Sequence, residues 1–459
     1  MSRLISSLDA SLKALAEQPA CICVAFSGGL DSSALLHGLA KLQTHPALAG
    51  LRAIHIHHGL HVDADAWSRH CRLTADGLGI EYQQLSVSLA ESLPGGLEAA
   101  ARDARYQALR AALLPGEVLA TAHHLDDQAE TLLLRLMRGS GNIGLAGIPA
   151  WSQLGAGWLW RPLLALPRRI LRDYADAESL SWCEDPSNAD TRHERNYIRG
   201  EILPALRQRW PAASQSIAHS AALLRESADL LDQLAGQDLR AVQRGQRLDC
   251  AALADLGAAR GRNLLRYFLR LQGLQAPGAS RLAEGYQQLL GARPDAEPVM
   301  RFNGGELRRY RGQLYLLTAP PRSTLAEISW DGRGILDLGG GESFRLKNSA
   351  AGGLLADISQ RRLLVRYRRG GERLRRPGQA HHQALKKLLQ AAGIPPWMRP
   401  RIPLLYADDC LVAVADLWLS AEAMAPAGEA GLQPHWDGHP PLQSVLAALF
   451  CIELAGAIW

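Results

Sequence analysis

A chain of 459 residues with 47% hydrophobic content and a formal charge of +5 is long enough for about three domains with packed cores. No apolar run approaches the roughly 20 residues that a membrane span requires, and the first residues are typical of an amphipathic helix and not of a signal peptide, so we expect a soluble, cytoplasmic protein with no membrane partner. Seven cysteines without a Cys-x-x-Cys pair argue against a disulfide framework and against a cysteine-ligated metal site.

The first informative segment is an apolar strand, residues 21–26, that breaks into a glycine-rich turn and then opens a helix near Asp31. Gly28 and Gly29 let backbone amides approach an anion with no Cβ in the way, and the helix directs the positive end of its dipole at the same place. Two serine hydroxyls in the turn add donors, and the Asp31 carboxylate can hold a metal ion that offsets phosphate charge. A plain structural hairpin is the alternative, but the order of strand, turn and helix favours a phosphate site.

The order Ser-Gly-Gly-x-Asp-Ser in this turn resembles the PP-loop of the N-type ATP pyrophosphatases, which split ATP between its α and β phosphates. A Walker-type loop needs a Gly-Lys pair, and none occurs in this sequence, so γ-phosphate transfer of that kind is not expected. We predict that ATP and Mg²⁺ bind here, with Asp31 as the metal ligand. The predicted ATP-binding residues are Ser27, Gly28, Gly29, Leu30, Asp31 and Ser32.

Strands and helices alternate through the first half of the chain. Hydrophobic periodicity predicts strands over residues 51–57, 80–87 and 117–122 and helices over residues 65–78, 97–114 and 126–138. This alternation predicts an α/β fold with a doubly wound parallel sheet. Because ligands bind beyond the carboxyl ends of such strands, we expect the turn at Ser27, the histidines at 55–58 and the pair His123 and His124 to meet in one crevice.

The remainder of the chain is predicted to form accessory domains. A long amphipathic helix over residues 212–234 follows two prolines that end the first domain, and glycine-rich stretches near residues 332–341 and 352–353 indicate turns and a linker. The predicted plan is a catalytic domain at 1–211, a mostly helical middle domain at 212–320, a linker at 321–354 and a small α+β C-terminal domain at 355–430.

The second motif, residues 121–131, begins a helix with two histidines and three acids. On helical spacing His123, Asp127 and Glu130 share a face. Such a cluster suits the binding of a substrate amine, the holding of magnesium or the transfer of a proton, whereas a helix cap requires only one of the acids. Zinc is disfavoured because no thiolate or third histidine lies at a clear spacing. The glycine-rich stretch at 139–144 follows a helix and not a strand, so it is interpreted as a substrate-facing loop.

Arginine is concentrated in two further segments. A polar loop at residues 182–188 leads into a helix that carries Arg195 and Arg199, where cations oppose the helix dipole at a cost that a bound phosphate can offset. Between Arg361 and Arg376 eight arginines accompany one glutamate. That density suits tRNA phosphates, with a merely solvated face as the alternative.

Four motifs together are similar to the bacterial tRNA(Ile)-lysidine synthetase family. They are the loop at 27–32, the string His-His-Leu-Asp-Asp-Gln-Ala-Glu-Thr from residue 123, Arg-Gly-Ser-Gly from residue 138, and Glu-Asp-Pro-Ser-Asn from residue 184 with Arg-Asn at 195–196. The similarity continues in Arg-Arg-Gly-Gly-Glu from residue 368, Lys-Lys-Leu-Leu from residue 386 and Ile-Pro-Pro-Trp from residue 394. One departure is His61, where the family often has arginine.

The resemblance implies a two-step reaction on the wobble cytidine of the CAU anticodon of tRNA(Ile). ATP adenylates the base at its 2-oxygen with loss of pyrophosphate, and the ε-amine of free L-lysine then displaces AMP. We assign catalysis to Asp31, His123, Asp127 and Arg195, with His123 as the general base, and lysine binding to His123, Asp127 and Glu130. The assigned tRNA contacts are Arg195, Asn196, Arg199, Arg366, Arg368, Arg369, Lys386 and Lys387.

Three other functions compete with this prediction. A tRNA thiolase of the same fold activates the base in the same way but delivers sulfur, and such enzymes usually need a reactive cysteine or a cluster. A synthetase that acts on a small molecule leaves the basic C-terminal segment unexplained. An RNA-binding factor that holds ATP only as a structural ligand has no catalytic activity.

Overall fold

The computed structural model describes residues 2–14, 20–57, 59, 62–87, 97–186, 190–293, 296–318 and 326–438. The chain divides into two compact units, Met1–Leu234 and Ala235–Trp459. Among the described residues, no helix combines the length and the apolar character needed to cross a bilayer.

A six-stranded sheet lies at the centre of the first unit, in the strand order β3-β2-β1-β4-β6-β5. Every pairing in it is parallel except that of β5 with β6. The strands are β1 (Ala20–Ala25), β2 (Leu48–His57), β3 (Glu81–Ser86), β4 (Val118–Ala120), β5 (Trp151–Leu154) and β6 (Gly157–Trp160).

Helices cover both faces of this sheet, as the alternating side chains of β1 require. Ile22 and Val24 point into a large core shared with α1, α2 and α7, whereas Cys23 points into a smaller core that includes Leu109 of α4. The helices are α1 (Arg3–Lys13), α2 (Leu30–Ala40), α3 (Ala64–Gly77), α4 (Leu97–Ala112), α5 (Leu125–Met137), α6 (Asn142–Leu145), α7 (Arg168–Ala177), α8 (Glu194–Tyr197), α9 (Leu203–Arg209) and α10 (Ala213–Val242), with a π-helical turn at Ile198–Ile202 between α8 and α9.

This architecture confirms the predicted doubly wound α/β fold. The strands predicted at 51–57, 80–87 and 117–122 correspond to β2, β3 and β4. The periodicity was informative because β2 and β4 carry buried apolar residues and the strands are separated by helices with one apolar face.

The middle of the chain is mostly helical, as predicted, and adds a small antiparallel sheet in the order β7-β8-β11-β10-β9. Leu264, Phe268 and Leu282 lie in the core between the helices and this sheet. The elements are β7 (Gln243–Arg244), β8 (Arg247–Asp249), α11 (Cys250–Asp255), α12 (Gly257–Leu271), α13 (Ala279–Gly291), β9 (Val299–Phe302), β10 (Gly305–Tyr310) and β11 (Gln313–Leu317).

The C-terminal part combines antiparallel sheets with one helix. One sheet has the order β12-β15-β18-β19-β20, a second has the order β13-β14-β21, and β16 pairs with β17. The elements are β12 (Ile328–Trp330), β13 (Ile335–Gly339), β14 (Glu342–Ser349), β15 (Leu363–Tyr367), β16 (Arg373–Leu374), β17 (Gln383–Ala384), α14 (Leu385–Ala391), β18 (Pro403–Ala407), β19 (Cys410–Val414), β20 (Trp418–Leu419) and β21 (Gly431–Asp437).

The segment that the sequence assigned to a linker, residues 321–354, contains β12, β13 and β14. Residues 343–349 of β14 pair with β21, which lies beyond the predicted end of the C-terminal domain at residue 430. These described residues are therefore part of the C-terminal sheets. The glycine-rich turns suggested a linker. The pairing of β14 with β21 could not correct that prediction, because the two strands are far apart in the chain and their pairing leaves no local pattern in the sequence. The four predicted domain bounds stay a prediction.

Candidate active site at the switch point of the parallel sheet

The strand order places the two main sequence motifs side by side. The chain leaves β1 toward β2 on one side, whereas β4 lies on the other side of β1 and leads outward to β6. A crevice forms beyond the carboxyl ends of the strands at such a switch point, and ligands bind there in open α/β sheets. The loop after β1 carries Ser27 to Gly29, and the loop after β4 carries His123 and His124.

The loop after β1 is held by backbone contacts from both sides. The N–H of Phe26 donates to Ile54 O at 2.8 Å, and the N–H of Cys183 donates to Gly28 O at 2.8 Å. Gly28 has φ +79°, and a Cβ added there would lie 2.7 Å from Cys71 Sγ. Only glycine fits this left-handed, closely packed position without strain.

Hydroxyl groups complete the loop. Ser27 Oγ and Ser32 Oγ lie 3.0 Å apart, and Ser32 Oγ donates to Gly29 O at 3.0 Å. Gly29 is the N-cap of α2 and provides no side-chain cap for the first turn. The first-turn amides of α2 therefore face the crevice as donors for an anion.

Asp31, in the first turn of α2, lies between the side chains of Arg168 and His124. Arg168 Nε donates to its two carboxylate oxygens at 3.1 and 3.3 Å, and His124 Nε2 lies 3.8 Å from Oδ2. Burial alone would raise the pKa of Asp31, but the His124 imidazole and the Arg168 guanidinium outweigh it and keep the pKa below its usual value. Asp31 is ionised at neutral pH, and its side chain is 29% exposed.

These properties suit a magnesium ion bound together with a nucleotide. Mg²⁺ is typically held by one or two carboxylates plus substrate phosphates and waters. Among the described residues, no group of three or more His, Cys, Asp or Glu side chains could hold a metal ion by itself. The site therefore fits magnesium through the single Asp31 carboxylate and the phosphates, and it offers no preformed metal cage.

The second loop is organised by a reciprocal cap at the start of α5. Asp127 N–H donates to His124 Nδ1 at 3.3 Å, and His124 N–H donates to Asp127 Oδ2 at 2.9 Å. This arrangement is a capping box in which an imidazole replaces the usual hydroxyl. Burial would lower the pKa of His124, but the carboxylates of Asp31 and Asp127 raise it overall.

Asp127 and Glu130 form a buried network with two arginines from the segment around α8. Arg195 donates through Nη2 to Asp127 Oδ1 and through Nε to Glu130 Oε2, both at 2.7 Å. Arg199 donates to the two oxygens of Glu130 at 2.7 and 3.0 Å. Glu130 is 1% exposed. The two carboxylates are therefore balanced by two guanidinium groups, which the sequence pattern did not indicate.

His123 precedes α5 and does not share its helical face, contrary to the helical spacing assumed from the sequence. Its Nδ1 lies 2.9 Å from Thr121 Oγ1. Burial, helped by the nearby arginines Arg161 and Arg195, lowers the pKa of His123 to about 4. The imidazole is therefore neutral at neutral pH, and one ring nitrogen can accept a proton.

We expect the His123 imidazole to stay neutral until the pH falls well below 6. Its protonation should be centred near the pKa of about 4 instead of the ordinary value of about 6.5. Histidine-labelled protein followed by heteronuclear NMR over this pH range measures the midpoint, and His123→Gln assigns the signal. A midpoint at or above 6.5 would contradict the environment described here.

The remaining predicted residues of the first unit lie near this network. Asn196 Nδ2 donates to Asp190 O at 3.0 Å, which attaches the polar loop to α8. Ser187 and Asn188 of that loop, and the departure at His61, lie outside the described residues. In the glycine-rich stretch at 139–144, α6 begins at Asn142, and Arg135 Nη1 donates to Gly144 O at 2.7 Å.

In the second unit, the C-terminal arginines are largely paired with acids. Arg366 contacts Glu327 at 3.0 Å and Asp409 at 2.7 Å, and Arg369 lies 3.5 Å from Glu327. Arg368 lies 3.5 Å from Glu372. The exposed lysines at the start of α14, Lys386 and Lys387, make no ion pair with any described carboxylate.

Sequence reasoning missed Arg168 and Arg207. Besides its bond to Asp31, Arg168 uses its backbone N–H to bind Asp126 Oδ2 at 2.9 Å, and Arg207 pairs with Asp126 Oδ1. The sequence did contain a signal for Arg168. This residue is the first of α7, and the first turn of that helix contains no acid, so its positive charge opposes the helix dipole. The same argument from the helix dipole had singled out Arg195.

Comparison with known families gives three consecutive matches along the chain. Residues 3–206 match the PP-loop domain, residues 248–315 match the TilS substrate binding domain, and residues 363–436 match the TilS substrate C-terminal domain. The tRNA(Ile)-lysidine synthase of Alkalilimnicola ehrlichii is 47% identical over 86% of this chain and 89% of its own length. This chain belongs to the tRNA(Ile)-lysidine synthase family.

A second curated relative agrees with this assignment. The tRNA(Ile)-lysidine synthase of Pseudomonas putida is 46% identical over 86% of this chain and 92% of its own length. Among solved structures, the U34-tRNA thiolase NcsA from Methanococcus maripaludis has a TM-score of 0.43 and 17% identity, and covers 49% of this chain and 79% of its own. The family resemblance predicted from the motifs is confirmed, and the sequence relationships do not favour the thiolase alternative.

Proposed function

We propose that this protein ligates free L-lysine to C2 of the wobble cytidine in the CAU anticodon of tRNA(Ile), acting in the cytoplasm and converting ATP to AMP and pyrophosphate. The observation that supports this most strongly is the meeting of the glycine-rich loop and the acidic start of α5 at one switch point, in a chain of the tRNA(Ile)-lysidine synthase family. The resulting lysidine changes the codon that the tRNA reads from AUG to AUA.

In the first step, the loop after β1 orients ATP for attack at its α-phosphorus. The amides of Gly28 to Leu30 and the hydroxyls of Ser27 and Ser32 surround the phosphates and stabilise the charge that develops as the diphosphate leaves. Asp31 would hold the magnesium ion, which offsets phosphate charge. The 2-oxygen of cytidine bonds to the α-phosphorus, and the α–β bridging oxygen departs with its electron pair.

In the second step, Asp127 and Glu130 bind the ammonium group of lysine. Each carboxylate oxygen has two lone pairs, so the ammonium can share them with Arg195 and Arg199 or displace one guanidinium. The displaced arginine is then available to an RNA phosphate, so Arg195 can serve both its catalytic and its tRNA-binding role, and Arg199 can contact tRNA. The network thus exchanges one cation for another without leaving a buried charge unpaired.

His123 accepts the proton of the attacking amine. Its lowered pKa of about 4 makes it a weak base, so it cannot deprotonate a free ammonium to a useful extent. The lysine nitrogen attacks C2 after the ammonium has lost its first proton to solvent, and the bond between C2 and the adenylate oxygen breaks so that AMP leaves with its electron pair. The nitrogen becomes acidic as it bonds to C2 and gives its next proton to the neutral imidazole.

Incorporation of labelled lysine tests this function directly. The full chain is incubated with ATP, the tRNA(Ile) transcript and either labelled lysine or a labelled sulfur donor. We expect lysine in the tRNA together with one AMP and one pyrophosphate per event. Sulfur incorporation without lysine would identify a thiolase, and absence of pyrophosphate release would leave an RNA-binding factor.

The C-terminal contacts to tRNA have a separate test in the salt dependence of binding. We expect the double variant Lys386→Ala with Lys387→Ala to reduce the slope of log affinity against log salt by about 2, since each phosphate contact contributes about 1. The double variant Arg366→Ala with Arg368→Ala should change the slope by less, because these arginines are already paired with acids. A larger loss for the arginine variant would reverse this assignment.

A further inference from the structure

A cleft of about 540 Å³ in the first unit has five arginines among its twelve lining residues and lies next to Asp31. Its walls come from α5, from α7, from the π-helical turn and α9, and from the start of α10. The reaction described above uses only part of this lining. The lining arginines are Arg168, Arg169, Arg172, Arg199 and Arg207.

The two acids in the same lining are already neutralised. Both oxygens of Asp126 are engaged, one by the backbone N–H of Arg168 and the other by Arg207. Both oxygens of Glu130 accept hydrogen bonds from Arg195 and Arg199. Five arginines against two acids give the cleft a clear positive charge, which suits a compact anion with several charges.

Two of the arginines have no acid to balance them in the part of the chain that the structure describes. Arg169 and Arg172 are exposed on α7 and form no ion pair with a described carboxylate. The guanidinium of Arg172 lies over the ring of Trp182, 5.1 Å from its centroid. This contact fixes the direction of the side chain and leaves its N–H donors available.

The charged residues of α7 are placed unfavourably for the helix dipole, with cations at the amino-terminal end and acids toward the carboxyl end. Arg168, Arg169 and Arg172 lie at its amino-terminal end, where no acid is present in the first turn, and Asp173 and Asp176 follow toward the carboxyl end. The arginines also lie three and four residues apart, a spacing at which like charges repel. This order destabilises the empty protein, and an anion in the cleft would relieve the repulsion.

We propose that this cleft receives the pyrophosphate released from ATP and forms a second diphosphate site beside the loop after β1. The inference rests on the proposed function, in which pyrophosphate is a product. Arg168 connects the two sites, because its Nε binds Asp31 while its side chain also lines the cleft. The diphosphate leaves with the electron pair of the broken bond to the α-phosphorus, and this cleft, which Arg168 joins to Asp31, offers it Arg169 and Arg172, two arginines with no acid partner among the described residues.

Product inhibition by inorganic pyrophosphate tests the proposal in the full-length protein. The variants are Arg169→Gln and Arg172→Gln, with Arg209→Gln as a matched control, since Arg209 is an exposed arginine of the same unit that does not line the cleft. We expect each cleft variant to raise the inhibition constant of pyrophosphate at least tenfold, while the KM values for ATP and tRNA change less than about twofold. Arg209→Gln should behave like the wild type.

Three results would overturn the proposal. An unchanged inhibition constant would show that pyrophosphate does not use the cleft. A rise in the KM of ATP as large as the rise in the inhibition constant would place the arginines on the bound nucleotide, and a rise in the KM of tRNA would place them on RNA phosphates. Lysine incorporation by the wild type is measured in the same assay, so failure of the proposed function appears there independently of the variants.

Discussion

Replacing Asp31 by asparagine is expected to slow pyrophosphate release by about a hundred- to a thousandfold, a typical loss when one electrostatic group at a developing charge is removed. The side chain of asparagine keeps the shape of aspartate but loses the charge that, in the proposed mechanism, would hold magnesium near the phosphates. It also removes the acid partner of Arg168, which lies 3.1 Å away. Quenched-flow measurement of pyrophosphate release with saturating tRNA and ATP gives the size of the loss.

The matched control for this substitution is Asp76→Asn, an exposed aspartate on α3. It should keep the wild-type rate. Circular dichroism and thermal unfolding of Asp31→Asn separate a catalytic loss from a folding loss. A rate within threefold of the wild type would show that Asp31 is not needed for the first step.

Replacing Gly28 by alanine is expected to destabilise the first unit by about 2–5 kcal/mol and to weaken the binding of an ATP analogue more than tenfold. The left-handed conformation costs about 1–2 kcal/mol for a residue with a Cβ, and overpacking a filled position adds about 1–3 kcal/mol. The new Cβ would lie 2.7 Å from Cys71 Sγ in a loop with φ +79°. The loop must therefore move, and its amides move with it.

Gly116→Ala separates the two contributions. Gly116 has φ +78°, almost the same as Gly28, but a Cβ there meets nothing within 4 Å. It should lose only the conformational contribution and should bind the ATP analogue normally. Thermal unfolding and calorimetric titration of both variants provide the comparison, and equal losses of ATP affinity would contradict the packing argument.

The fold of the first unit could be predicted because its signals are local. Apolar strands alternate with helices of one apolar face, and the glycine-rich turn follows directly from the first strand. The same reasoning brought the loop at Ser27 and the pair at His123 and His124 to one edge of the sheet, where the strand order places them.

The chemistry inside the site could not be predicted in the same way. The partners of Asp127 and Glu130 are Arg195 and Arg199, which approach only when the segment around α8 packs against α5. Sequence spacing shows that acids share a helix face, but it does not show which cation from a distant segment neutralises them. For the same reason, the eight clustered arginines of the C-terminal region suggested a free cationic surface, although several of them are paired with acids.

The hydrogen bond from the Cys183 N–H to Gly28 O has a consequence for how the protein is made. During translation β1 and α2 emerge from the ribosome early, but the backbone that supports their connecting loop is synthesised much later. A nascent chain that stops before Cys183 has the glycine-rich sequence without the contact that fixes its shape. Competence to bind nucleotide should therefore arise late in synthesis, when most of the first unit is already available to pack around it.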